Sequence, residues 1–449
     1  MANLSFAILV LTGVGAPALL FALLGCSPLH KRPLSENVIG RLAALAMTIS
    51  FAALFAALLS PMAASEGRFL VYGGWSHAGG IALQFLVDRM SLAFASLSAA
   101  ILGIVSAFSH RYLHRDPGYH RYFLLLAMFA TGMELIALAG NVELLFVGWE
   151  MVGLSSALLI AFFHERPAPV ANGLRVFSVY RLSDAAMLAA AVLLQHWAGN
   201  ASLAMLFDGN GSAPIAGLGG AGATVIALLL IVAVAGKSAL IPFSGWLPRA
   251  MEGPTPSSAV YYGALSIHAG CFLLLRSMPL LAHAPAARVF AGALGGATAV
   301  FAAVATSVQS DVKSSLAYAS LTQVGLIVLE IALGWRLLAF IHLCGHMCFR
   351  LLQLLSAPNV LHDLHGLANT SQMRPPLLGR ALRALIPERR LRGLYVFALE
   401  RGFLDSFLDD WAVRPFILLA RTLSQVDARL CGAILPAMMA PPAAEDLDE

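Results

Sequence analysis

Residues 226–259 read IALLLIVAVAGKSALIPFSGWLPRAMEGPTPSSA. The first half is apolar except for Lys237 and Ser238. The second half carries Pro242, Pro248, Pro254 and Pro256 within fifteen residues. Each proline removes a backbone donor and crowds the preceding turn, so the stretch cannot be one straight helix. Irregular backbone at membrane depth persists only where it is buried in protein or lines a wet cavity. An interfacial loop accounts for the prolines but leaves the lysine unexplained, whereas a lysine beside a broken helix suits a protein that moves ions.

Composition agrees with a membrane setting. Of 449 residues, 59% are apolar and 12% charged, against about 25% charged in soluble domains, and the mean hydropathy is +0.79. Too few polar side chains remain to cover a water-facing globule. This excludes a soluble enzyme, a nucleic-acid binder and a disordered chain. The fold class is all-α, a polytopic transmembrane bundle. Apolar runs long enough to cross a bilayer (about 20 residues each) lie near 5–26, 38–60, 82–109, 121–139, 142–163, 171–196, 221–243, 257–277, 286–308, 314–335 and 337–358, eleven in all. The N-terminal run, ending Leu23-Leu24-Gly25-Cys26, reads as a retained first span. The five cysteines, Cys26, Cys271, Cys344, Cys348 and Cys431, read as small hydrophobes and imply no disulfide framework.

Lysine and arginine in short loops set orientation. Lys31, Arg32 and Arg41 follow the first span, Arg111, Arg115 and Arg121 the third, and Arg166 and Arg175 the fifth. The loop from Trp197 to Gly220 has neither residue, and Arg276, Arg288 and Arg336 are exceptions. The expected N terminus is outside and the C terminus cytoplasmic, in a bacterial inner membrane. Residues 1–360 form the membrane domain and 361–449 a cytoplasmic tail. The tail holds six arginines between Arg374 and Arg392, an amphipathic helix over Arg414–Leu435, and an acidic end over Pro441–Glu449. Such a helix lies along lipid or against a partner.

Only three of the 28 basic residues are lysines: Lys31, Lys237 and Lys313. Arginine keeps its proton, whereas a buried lysine can exchange it. Sparing lysine for apolar runs therefore points to proton exchange there. Acids accompany it. Glu150 and Glu143, seven residues apart, occupy one face of the fifth span, Glu134 lies in the fourth, and Arg181 and Asp184 sit three apart in the sixth, spaced to pair. Isolated charges at the bilayer centre cost about 2.5–3.5 kcal/mol each, so these groups must face one another or water. In the eleventh span His342, His346 and Arg350 are spaced four and four, a stripe on one face. Steps of about 6 Å call for water or other side chains between them. Histidine suits a relay because it titrates near neutrality. Cys344 and Cys348 face away from this stripe, so the segment is not a metal site.

Several segments resemble the antiporter-like membrane subunits of respiratory complex I and of multisubunit cation/proton antiporters. They are LLFVGWEMVGLSS, VYRLSDAAML, AGKSALIPFSGWLPRAMEGPTPSSA, SDVKSSLAYASLTQVG and FIHLCGHMCFR. The resemblance implies two inverted five-helix repeats, each with a broken helix. Here the second repeat is shortened, without its broken helix and lysine. It also implies that Glu150 and Lys237 form a coupled pair tuned by Arg181 and Asp184. Lys313, His342 and His346 would continue a central polar axis, with Arg350 where the family often has lysine. Tyr262 stands where the family often has histidine, with His268 six residues later.

YYGALSIHAG and HERPAPVANGLR look most like the membrane subunit of the DAB-type inorganic carbon accumulation system. That resemblance implies a proton-conducting chain that is not itself an enzyme and holds no cofactor. It would energise a large cytoplasmic, zinc-containing, carbonic-anhydrase-like partner. The alternative is a proton-translocating subunit of a complex I-like or hydrogenase pump, or of a Na⁺/H⁺ antiporter, since carboxylates serve H⁺ and Na⁺ alike. Either way Glu150→Gln or Lys237→Ala is expected to abolish coupled activity.

Overall fold

The computed structural model describes residues 2–29, 34–64, 68–72, 83–198, 203, 218–309, 312–368 and 388–434. Lys31 and Arg32, most of the Trp197–Gly220 loop, Arg374, Arg380 and Arg383, and the acidic end lie outside these residues. Among the described residues eleven helical stretches are long and apolar enough to cross a membrane. They are built on α1 (Ala2–Cys26), α2 (Glu36–Leu59), α3 (Arg89–Tyr112), α4 (Tyr119–Leu138), α5 (Val142–Ile160), α6 (Pro167–Ala198), α7 (Gly219–Lys237), α8 (Ser266–Arg276), α9 (Pro285–Thr306), α10 (Val312–Leu333) and α11 (Arg336–Ala368).

The expected start of the third span and end of the seventh are wrong: the seventh, read to 243, stops at Lys237. Residues 83–87, assigned to the start of the third span, form a strand. β1 (Arg68–Tyr72) pairs antiparallel with β2 (Leu83–Val87), Arg68 opposite Val87 and Tyr72 opposite Leu83. The helix begins only after Asp88. Its carboxylate accepts the Ser91 N–H at 2.7 Å while the Ser91 hydroxyl accepts the Asp88 N–H at 2.9 Å, a reciprocal cap.

The same Asp88 carboxylate is ion-paired with buried Arg276 at the end of α8. Burial works to raise its pKa, but the Arg276 charge and the Ser91 hydrogen bonds outweigh it and hold the carboxyl below its usual value. The stabilisation is complete above the unfolded value of about 3.9 and is lost as pH falls through the lower folded value. Asp88→Asn is expected to cost about 2 kcal/mol at pH 7. The difference from wild type should shrink in acid. Thermal unfolding of the purified protein, followed by tryptophan fluorescence, checks this; equal midpoints at pH 7 would contradict it.

The broken segment forms the centre of the bundle. α7 stops at Lys237, Ala239 takes a left-handed φ of 56°, and the Ile241–Pro242 peptide is cis. Short turns over Phe243–Gly245, Trp246–Arg249 and Ala250–Glu252 follow. The chain then resumes at Thr255–Ser258, passes through a π-helical stretch over Ala259–Ala264, and enters α8. The span Thr255–Arg276 is wholly buried, so the irregular backbone is shielded by protein as its unpaired groups require. Around it the helices approach closely at paired glycines. A Cβ on Gly132 (α4) would sit 2.8 Å from the Gly148 carbonyl (α5), and one on Gly295 (α9) 2.7 Å from the Gly325 carbonyl (α10).

The tail lies against the bundle. α12 (Glu388–Leu399) leads through turns at Arg401–Phe403, Leu404–Leu408 and Asp409–Val413 into α13 (Arg414–Ile434). α13 covers the stretch read as amphipathic, and Leu418, Leu419, Leu423 and Val426 on it are exposed. Phe397 meets Phe301 of α9 with ring centroids 6.1 Å apart, and Asp409 is ion-paired with Arg175 of α6.

Candidate functional site

Four charges from three helices converge behind the break. Arg181 of α6 is ion-paired with Glu150 of α5 and reaches Asp184, one turn along its own helix, at 2.9 Å. The other Asp184 oxygen accepts the Trp149 indole N–H at 2.6 Å. Lys237, fully buried, donates to the Trp149 carbonyl at 3.0 Å. Its ammonium lies 4.9 Å from the Trp149 ring centroid and 4.3 Å from that of Tyr180. Two cations and two carboxylates leave the cluster neutral, which makes its burial tolerable. Gly153 makes room for the lysine, since a Cβ there would lie 3.1 Å from Nζ.

The coupled pair expected of Glu150 and Lys237 stands separated here, without a direct ion pair among the described residues. Arg181, longer and forked, takes the Glu150 carboxylate, and Lys237 rests on a neutral carbonyl and two aromatic faces. Among the described residues no carboxylate comes within 4.0 Å of Lys237, while the second Glu150 oxygen is buried without a hydrogen-bond partner. Trp149, which touches both Asp184 and Lys237, escaped the sequence reading. Its only signal there was its place beside Glu150.

A second polar group joins α8, α10 and α11. His268 Nε2 and His346 Nδ1 are 2.8 Å apart, and Arg350 approaches His346 Nε2 at 3.4 Å. A guanidinium only donates, so His346 Nε2 accepts, its Nδ1–H donates to His268, and the tautomers follow. Arg350 thus meets His346 directly, because its long side chain spans the turn that was expected to need an intermediary. His342 continues the stripe, its ring centroid 6.4 Å from that of His346. Its Nδ1 faces Glu330 at 2.9 Å and its Nε2 faces Gln323 at 3.0 Å. Glu330 and Gln323 were also missed, since pairing with the eleventh span is a tertiary fact.

Two expected members stand apart. Glu143 is exposed in the first turn of α5, two helical turns from Glu150, and joins no cluster. Lys313 opens α10, about 15 Å along that helix from Gln323, so it does not continue the histidine axis. It lines a cavity of about 750 Å³ with Arg249, Glu252, Arg401 and Asp409, between the broken segment and the tail.

Comparisons with known proteins bear on this geometry. The family described as NADH:quinone oxidoreductase/Mrp antiporter, TM, matches residues 139–377, and that described as NADH-ubiquinone oxidoreductase (complex I), chain 5 N-terminus, matches residues 75–123. The chain is 35% identical over 295 residues to NADH-quinone oxidoreductase subunit L of Mycobacterium tuberculosis, covering 65% of this chain and 46% of that protein. With NADH-ubiquinone oxidoreductase chain 5 of Cryptococcus neoformans it shares 34% identity over 308 residues, covering 68% and 45%. It spans about half the length of the curated relatives it matches. A chain in the structure of the Mrp complex from Dietzia superposes with a TM-score of 0.67 at 29% identity, covering 76% of this chain and 37% of that one. A chain of an archaeal membrane-bound sulfane sulfur reductase superposes with a TM-score of 0.67 at 18% identity, covering 78% and 70%, and shows likeness of fold alone.

Proposed function

Starting from the chain's membership of the NADH:quinone oxidoreductase/Mrp antiporter membrane family, we propose that it conducts protons through the Glu150–Arg181–Asp184–Lys237 cluster and energises a bound partner. The observation that carries this is a neutral four-charge cluster in which a fully buried lysine touches no carboxylate among the described residues. Arginine holds its proton, so exchange falls to Lys237 and the two acids. With Arg181 on Glu150, the lysine rests on a carbonyl. When Arg181 turns wholly to Asp184, Glu150 is free to approach Lys237. The two arrangements offer the ammonium different counter-charge, and switching between them moves a proton on or off.

The histidines then carry the proton onward. His346 and His268 pass it along their hydrogen bond, and His342, with Nδ1 facing Glu330 and Nε2 facing Gln323, continues the path. His268→Phe, which keeps a flat buried ring but no nitrogen, is expected to lower proton flux about 10-fold. Flux is read as pH-dye quenching in vesicles holding the purified chain. Unchanged flux would remove His268 from the path.

In the narrower reading the partner is a cytoplasmic, zinc-containing, carbonic-anhydrase-like protein, and proton entry drives inorganic carbon uptake. The segments YYGALSIHAG and HERPAPVANGLR favour it. Among the described residues no three His, Cys, Asp or Glu side chains converge as metal ligands, and in this reading zinc belongs to the partner. The N terminus then lies outside, and the cavity beside Lys313 opens to the cytoplasm. The relatives' names favour a second reading, a subunit of a redox pump or Mrp-type antiporter. Affinity purification from the native membrane, with zinc analysis, separates them. One large zinc protein supports carbon uptake; several hydrophobic subunits, with redox cofactors or without, overturn it.

A further inference from the structure

We propose that the tail positions Arg181. The inference rests on the proton-path reading above and names how that path is regulated. α6 is held by the tail at two residues on different flanks. Arg175 is ion-paired with Asp409, and the Phe177 ring packs edge-on against Phe416, centroids 5.8 Å apart. One turn along, the Arg181 guanidinium lies 4.9 Å from the Phe177 centroid. The contacts therefore run without a gap from Phe416 through Phe177 to Arg181, and from Arg181 to Glu150 and Asp184.

Phe177 is the support on which Arg181 rests when it reaches Glu150. Phe416 fixes the ring's orientation, and the Arg175–Asp409 pair fixes the tail's distance from α6. Asp409 also borders the cavity that Arg249, Glu252, Lys313, Glu400 and Arg401 line. A shift of the tail moves Phe416, frees Phe177, and lets Arg181 leave Glu150 for Asp184. That is the switch the proton path requires. Asp409 and Phe416 touch none of the exchanging groups and act through α6 as positioning residues.

The test uses the full chain in vesicles, with proton flux measured across pH. Phe416→Ala, Phe416→Leu and Asp409→Asn are each expected to lower flux about threefold or more and to move the pH of half-maximal flux by about half a unit. Asp409→Glu and the exchanged pair Arg175→Asp with Asp409→Arg are expected to restore both. Glu150→Gln serves as the inactive reference. Tail variants that keep the wild-type pH profile while Glu150→Gln is inactive overturn the positioning role alone. Normal flux in Glu150→Gln instead overturns the proton path, and this inference with it.

Discussion

Lys237→Arg and Lys237→Met are each expected to lose proton flux by about 100-fold or more, with the protein still purifying as a single folded species. The two replacements fail for different reasons. Methionine fills the space between the Trp149 and Tyr180 rings but has no proton to exchange. Arginine keeps the charge and does not release its proton. Its fork also fits poorly where a Cβ at Gly153 would already lie 3.1 Å from the ammonium. A lysine that served only as a counter-ion would be replaced far better by arginine than by methionine, despite the tighter fit. Flux across a pH gradient in vesicles is the measurement, and near-normal flux in Lys237→Arg would remove Lys237 from proton transfer.

Glu150→Gln is expected to lower flux nearly as far, again by about 100-fold, with little loss of folded protein. Glutamine keeps the shape and one acceptor oxygen for Arg181 but removes the negative charge. Arg181 then turns to Asp184, which it already reaches at 2.9 Å, and the lysine has no second counter-charge to meet. The four-charge balance becomes two cations against one carboxylate, so the cost falls on the protonated lysine as well as on the path. Glu150→Asp tests the geometry: a carboxylate one methylene shorter keeps the charge and is expected to recover part of the flux. If Glu150→Gln conducts as wild type, the switch between Glu150 and Asp184 is not the proton step.

The sequence was legible where chemistry is local. Apolar runs of bilayer length located all eleven spans, because hydropathy integrates over about 20 residues and forgives errors at the ends. The prolines after Lys237 marked the break, since a missing donor and a ring clash act within one turn. Arg181 and Asp184 were paired correctly because three residues along a helix place them together whatever surrounds them. Errors began where a neighbour had to come from elsewhere. The strand at 83–87 depends on its partner at 68–72. Glu143 shares a helix face with Glu150, yet face alone did not say that one end would be exposed and the other enclosed.

Sequence by itself determined the class of protein, the count of its spans, the broken helix and the types of charge placed inside it, and its motifs pointed to the family. All but the family follow from composition and short-range backbone physics; the family rests on the resemblance of its motifs. Tertiary structure alone decided which charge meets which: Glu150 with Arg181 instead of Lys237, His268 with His346, His342 with Glu330, and the tail with α6. A buried charge takes the partner that geometry brings within about 3 Å, and only the packing of one helix on another sets that distance.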